Sequence, residues 1–221
     1  MRWNLPNSLT VLRLLAAPGV AVMFLYFHRP WADWFALTLF IMAAITDWFD
    51  GYLARLWKQE SKFGAMLDPI ADKAMVVIAI MVISGYNGMN AWLILPATVI
   101  IFREVFVSGL REYLGAAAGT LKVTQLAKWK TTAQMVAIAV MFLGTGLEYL
   151  NGVAMKGMTP DQYADAVTAG LADPIRACGK RDCASLAGDV GLVLMWIAAV
   201  LTALTGWDYF RKSQPFLRDE P

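Results

Sequence analysis

The residues best equipped for chemistry lie between positions 47 and 72, in DWFDGYLARLWKQESKFGAMLDPIAD. Asp47 and Asp50 are three residues apart, and Asp68 and Asp72 are four apart. Either spacing puts both carboxylates on one side of a helix, so two helix faces could converge on a shared polyvalent cation. At 3.6 residues per turn, Asp47, Asp50, Gly51, Ala54 and Arg55 share an arc of about 140°. Trp48, Phe49, Tyr52, Leu53 and Leu56 cover the other side. One face is small and acidic, and the other is bulky and apolar. An all-oxygen ligand set of this kind suits hard cations such as Mg²⁺, Ca²⁺ or Mn²⁺.

The elements that must position these groups are membrane helices. Of 221 residues, 58% are hydrophobic and only 16% charged, and the mean hydropathy is +0.52. An ordinary globular domain carries about 25% charged residues; this composition belongs to an integral membrane protein. The net charge of +2 is too small to point to a nucleic-acid partner. The apolar runs predict an all-α protein of six transmembrane helices in a single domain, 1–221, after a short N-terminal interfacial segment. Spans are expected at about 8–27, 31–57, 64–86, 91–114, 131–150 and 186–210, with an extracytoplasmic loop at 151–185. Pro6 and Asn7 suit a helix start, with Ser8 and Thr10 able to cap it. Arg13, in the first two turns, can snorkel or face a polar cavity.

Charge distribution orients the set. Arg55 lies at the end of the second span, Lys58 and Lys62 in the short loop after it, and Lys122, Lys128 and Lys130 near the other short loop, whereas the 87–90 turn carries no basic residue. The positive-inside rule then puts both termini and the carboxylates on the cytoplasmic side. From Trp34 to Asp47 is about 20 Å of helix, which sets the acids in the inner third of a hydrocarbon core about 30 Å thick. A charge at mid-membrane costs on the order of 2.5–3.5 kcal/mol, so protons or cations must neutralise the cluster. Pairing with Arg55, Lys58, Lys62 and Lys73 alone would leave the glycines and the one-face arrangement unexplained.

The pattern D-x-x-D-G-x-x-A-R-x8-G-x3-D-x3-D, complete from Asp47 to Asp72, resembles the signature of the CDP-alcohol phosphotransferases. The likeness extends to the six-span plan and to NLPNSLT near the N-terminus, and leaves out residues 151–186. It implies that an acceptor hydroxyl attacks the β-phosphorus of a CDP-linked alcohol and that CMP leaves. It further implies two divalent cations, Mg²⁺ or Mn²⁺, with Asp47 and Asp68 bridging them. By the same resemblance Asp50 holds the first ion, and Asp72 both holds the second and serves as general base. Gly51, Ala54, Arg55, Ser61 and Gly64 resemble positions around the CDP group, and Asn7 to Thr10 a stretch that holds the donor head group. A homodimer among membrane lipids is implied as well.

Arg103-Glu104, Arg111-Glu112 and Lys128-x-Lys130-Thr131-Thr132-Ala-Gln134 are similar to bacterial members of the family from the inner membrane. Those members use CDP-diacylglycerol as donor and glycerol-3-phosphate as acceptor. That similarity implies an acceptor-phosphate role for Arg103, Arg111, Lys128 and Lys130. For Arg103 the rival is a pair with Glu104, but adjacent residues do not face each other on a helix. For the lysines the rival is membrane topology alone. Inositol phosphate or serine remains the alternative acceptor. A cation or proton transporter is the reading from a different class, since intramembrane carboxylates also mark ion paths. Transporters often carry inverted repeats, and the acidic motif has no second copy here. Cys178 and Cys183 fit either a small-loop disulfide or two free thiols.

Overall fold

A computed structural model describes residues 5–29, 31–56, 62–115, 119, 125–155 and 180–217. Side chains are described for 7–29, 31–46, 63–115, 119, 129–150 and 186–217. Six long helices account for nearly all of it: α1 (Leu5–Tyr26), α2 (Trp31–Leu56), α3 (Lys62–Tyr86), α4 (Ala91–Leu114), α5 (Gln125–Met155) and α6 (Lys180–Ser213). A single 3-10 turn, Gln214–Phe216, follows. Among the described residues, four stretches are long and apolar enough to cross a membrane: Asn7–Tyr26, Ala91–Leu114, Trp129–Leu150 and Leu186–Phe216. Trp31–Thr46 adds a shorter apolar helix.

The distribution of side chains is that of a protein surrounded by lipid. Leu12, Leu15, Phe102, Val105 and Trp207 are well exposed, while Asn7, Thr10, Arg13, Asp33, Lys130 and Gln134 are buried. Water would favour the reverse arrangement; hydrocarbon outside and a polar interior require this one. The apolar core draws buried residues from all six helices. Phe142 of α5 lies 5.8 Å from the Phe24 ring and 5.8 Å from the Phe40 ring, with Ile80, Ile83 and Ile138 buried in the same cluster.

Helix α1 packs on α2 and α3, α5 on α6, α2 and α3, and α4 mainly on α6. Small residues allow the closest of these approaches. A Cβ on Gly144 of α5 would stand 3.2 Å from the backbone nitrogen of Gly188 on α6, so glycine there lets the two backbones come together.

The ends of the first four helices fall within a few residues of the boundaries expected from the apolar runs. Those of the last two do not: α5 begins at Gln125 and runs to Met155, and α6 begins at Lys180. Residues 151–155 and 180–185, expected in the loop, and 125–130, expected before the fifth span, are therefore helical. Apolarity marks where a span ends, but backbone hydrogen bonding continues through QLAKWK and KRDCAS, which contain neither Gly nor Pro. Cys183 lies on α6, while Cys178 and the start of the N-terminal segment fall outside the described residues. The cap assignment changes too. Because α1 starts at Leu5, Ser8 and Thr10 lie within the helix and the Thr10 hydroxyl turns to another helix.

A charged clamp closes the bundle at the end away from the acidic motif. Arg29 donates to Asp33 from Nε at 2.7 Å and from Nη2 at 2.5 Å, and to the Thr145 carbonyl at 3.0 Å. Its guanidinium lies 4.9 Å from the Tyr86 ring centroid and 4.6 Å from that of Tyr149. The Tyr86 hydroxyl donates to the Phe24 carbonyl at 2.8 Å. Asp33 is 1% exposed, so removing its partner would strand a buried carboxylate. Arg29→Ala should destabilise the detergent-solubilised protein by about 3 kcal/mol or more. In a thermal unfolding scan the midpoint should fall by several degrees, and the apolar pair Arg29→Met with Asp33→Leu should recover most of the loss.

Candidate active site

Two helices build the acidic half. Asp68 and Asp72 stand one turn apart near the start of α3, and Thr10 and Arg13 stand beside them on α1. Ala17 and Val20 of α1 share one apolar cluster with Ala79 and Ile83 of α3, and that packing holds the polar turns in register. The Thr10 hydroxyl donates to Asp68 Oδ1 at 2.8 Å. Arg13 Nη2 lies 3.6 Å from Asp68 Oδ1 and 3.5 Å from Asp72 Oδ1. The Arg13 side chain is 2% exposed, but those of Asp68 and Asp72 are 48% and 38% exposed. Each carboxylate thus meets a fixed cation on one side and keeps an open side for a ligand.

Asn7 is buried one turn before Thr10, and Gly64 is buried in the first turn of α3. Asp47, Asp50, Gly51, Ala54 and Arg55 all fall on the final turns of α2, where helical backbone preserves the one-sided spacing of the acids. Their side chains, and the whole of Ser61, lie outside the described residues.

The basic half comes from α4 and α5. Glu104 accepts from Lys130 Nζ and from Arg103 Nη1, the latter at 3.4 Å. Lys73 of α3 donates to the Ser108 hydroxyl, which in turn donates to the Glu104 carbonyl at 2.5 Å. Arg111 lies with its guanidinium 5.3 Å from the Tyr209 ring centroid. Gln134 Nε2 donates to the Thr202 hydroxyl of α6 at 3.2 Å, in a buried contact.

These groups share a cavity of about 240 Å³. Asp72 and Lys73 line it from α3, Arg103, Glu104 and Arg111 from α4, and Lys130 and Gln134 from α5. Its wall carries four basic side chains against two carboxylates, so it suits an anionic guest. Asp72 belongs to both halves. It touches Arg13 behind and faces the basic cavity in front.

Two sequence expectations change. Arg103 and Glu104 do meet, although they are adjacent on α4. The rule against such pairs concerns Cβ directions; two long side chains escape it, Glu104 reaching Lys130 and Arg103 together. The chain's cationic partners for Asp68 and Asp72 include Arg13, while Lys73 turns to Ser108. Thr10 and Arg13 are three residues apart, and that spacing was the one available sign that they share a face with Asn7. Lys128 lies on the first turn of α5, with its side chain outside the described residues. The bond from Lys130 to Glu104 and the contacts of Arg103 with α6 have no sign in the sequence.

Fold and site together define an all-α membrane protein with a carboxylate face and a cationic cavity joined at one aspartate. The CDP-alcohol phosphatidyltransferase family model matches residues 3–204, and the chain belongs to that family. It is 77% identical over 220 residues, all of both chains, to the CDP-diacylglycerol–glycerol-3-phosphate 3-phosphatidyltransferase of Cereibacter sphaeroides. A protein of the same name from Shigella flexneri serotype 5b is 38% identical over 184 residues, covering 78% of this chain and all of the relative. One from Salmonella choleraesuis is 43% identical over 141 residues, 63% of this chain and 76% of that one.

The buried guanidinium of Arg13 yields a prediction. Arg13→Met should lower phosphatidyl transfer about 100-fold, because it leaves two neighbouring carboxylates without their fixed counter-charge. Arg13→Lys should lose less, since it keeps the charge but not the fork. Initial rates on purified variants of matched elution profile would measure both.

Proposed function

We propose that this chain transfers the phosphatidyl group of CDP-diacylglycerol to glycerol-3-phosphate, releasing CMP and forming phosphatidylglycerophosphate. The observation that carries the reading is the position of Asp72. It joins a carboxylate face that would meet the donor's diphosphate through divalent cations to a cationic cavity suited to an acceptor bearing phosphate. An acceptor of this size and charge fits a cavity of about 240 Å³ lined by Arg103, Arg111 and Lys130.

In this reading the acceptor hydroxyl oxygen bonds to the β-phosphorus of the donor. The bond from that phosphorus to the bridging oxygen of CMP breaks, and CMP carries the electron pair away. Asp72 takes the hydroxyl proton, a task within reach of a carboxylate hydrogen-bonded to the attacking group. Arg103, Arg111, Lys128 and Lys130 hold the acceptor phosphate and so bring its hydroxyl to Asp72. On the donor side, Gly51, Ala54 and Gly64 allow close approach of the nucleotide, with Arg55 and Ser61 as polar contacts. Asn7 and Thr10 hold the donor head group, Thr10 as an acceptor because its proton is given to Asp68.

The donor set of the acidic half fits hard divalent cations, because Asp68 and Asp72 present oxygens one turn apart with an open side. Asp47, Asp50, Asp68 and Asp72 would hold two such ions, Mg²⁺ or Mn²⁺, which when bound neutralise the diphosphate and the departing CMP. Arg13 fixes the directions of two of these carboxylates in the meantime.

The whole chain then acts as one domain in a bacterial cytoplasmic membrane. Both termini and the cavity face the cytosol, in keeping with the basic residues of its short loops. Family resemblance supports a homodimer among membrane lipids.

The acceptor is tested directly. Reconstituted protein is given CDP-diacylglycerol with glycerol-3-phosphate, serine, inositol phosphate or diacylglycerol, and lipid products and CMP are measured. Glycerol-3-phosphate alone should support turnover; turnover with only another acceptor would overturn the reading. Asp72→Asn should lower transfer by about 10²–10⁴-fold and largely keep binding of the CDP-lipid. Full activity in that variant would remove Asp72 from its role as base.

A further inference from the structure

The acceptor contacts proposed above come from α4 and α5, yet α6 supplies the surface that shapes one of them. Arg103 runs across α6 at Thr205 and Gly206. A Cβ on Gly206 would stand 2.8 Å from Arg103 Cγ and 3.6 Å from Nε. The conflict is with the root of the side chain, where no small rotation relieves it. Glycine is a poorer helix former than alanine, so its place inside α6 calls for a reason, and the Arg103 stem is one.

Thr205 sets the far end. Its hydroxyl donates to the Leu201 carbonyl at 2.9 Å or the Thr202 carbonyl at 3.0 Å. With the proton committed there, the oxygen is left to accept from Arg103 Nη2 at 3.5 Å. Nη1 lies 3.4 Å from Glu104 Oε1, itself held by Lys130. Nε of Arg103 is buried and has no hydrogen-bond partner among the described residues. The guanidinium is thus held at two corners, with its third nitrogen unpaired.

Arg103 also lines an apolar groove of about 320 Å³ on the α4–α6 face, beside Phe106, Trp207 and Phe210. It therefore forms a wall between that groove and the polar cavity. A displaced stem would have an aromatic, lipid-side alternative for its charge. We infer that Thr205 and Gly206 are positioning residues for acceptor binding: the Gly206 notch and the Thr205 oxygen keep Arg103 turned to the acceptor phosphate. The inference rests on the reading of Arg103 as an acceptor-phosphate contact.

Steady-state kinetics with both substrates varied test it on the purified full chain. Gly206→Ala should raise KM for glycerol-3-phosphate about tenfold, since small misplacement of a positioning group is costly. Thr205→Val should raise it about threefold, and Thr205→Ser should restore it. KM for CDP-diacylglycerol and kcat should stay within about twofold, the pattern of lost uniform binding. In an Arg103→Ala background, Gly206→Ala should add nothing further. Unchanged KM for glycerol-3-phosphate in both single variants, with a raised value in Arg103→Ala, would overturn the positioning role and leave the Arg103 reading standing. An unchanged KM in Arg103→Ala would overturn both. Additive effects in the double variant would also overturn the inference. Should Gly206→Ala lose its monodisperse elution, the Thr205→Val and Thr205→Ser pair decides the question alone.

Discussion

Placing charge inside an apolar phase is the constraint on which this structure turns, and Arg13 meets it first. A guanidinium almost wholly enclosed by α1 and its neighbours would be prohibitively costly if left unpaired. Here it lies between Asp68 and Asp72, and Thr10 adds a neutral hydrogen bond to the same face. The two carboxylates could not stand so near each other in a low-dielectric setting without such a partner. Their partial exposure means the arrangement is balanced rather than saturated: enough negative charge stays open to attract a ligand of opposite sign.

The cavity beyond Asp72 solves the complementary problem. Lys73, Arg103, Arg111 and Lys130 would repel one another if each stood alone, and Glu104 ties two of them together. Ser108 takes up Lys73 through a third contact. What remains is a net cationic chamber with few loose ends, positioned by helices rather than by loops. Sites carried on packed helices hold geometry more tightly than sites on loops. At the far end, the Arg29–Asp33 clamp joins α2, α3 and α5. Both ends of the bundle are therefore fixed by charge, while its middle is fixed by Phe24, Phe40 and Phe142.

Much of this was legible in the chain, and the reasons differ by feature. Apolar runs located the helices, since every span must carry them. The ends of α5 and α6 were not legible, because a helix continues as long as its backbone bonds do, past the point where apolarity stops. The three- and four-residue spacings put the acid pairs on helix faces, and α2 and α3 carry them there. The partnership of Arg13 with Asp68 and Asp72 depends on α1 packing against α3, which no local pattern states. Arg103 and Glu104 misled for a geometric reason: the adjacent-residue rule describes where Cβ atoms point, not where long side chains end. By sequence alone, Thr205 and Gly206 do not differ from other small residues of a membrane helix. Their contact with Arg103 appears only once α4 and α6 are side by side.

In the proposed reaction, donor and acceptor occupy adjoining halves of one site and react there in a single displacement. The stereochemical course at the transferred phosphorus tests that most directly. With CDP-diacylglycerol made chiral at the β-phosphorus by isotopic oxygen and sulfur, transfer to glycerol-3-phosphate should proceed with inversion. Retention would mean two displacements through a covalent phosphatidyl-enzyme, and would contradict direct attack by an acceptor whose proton Asp72 removes.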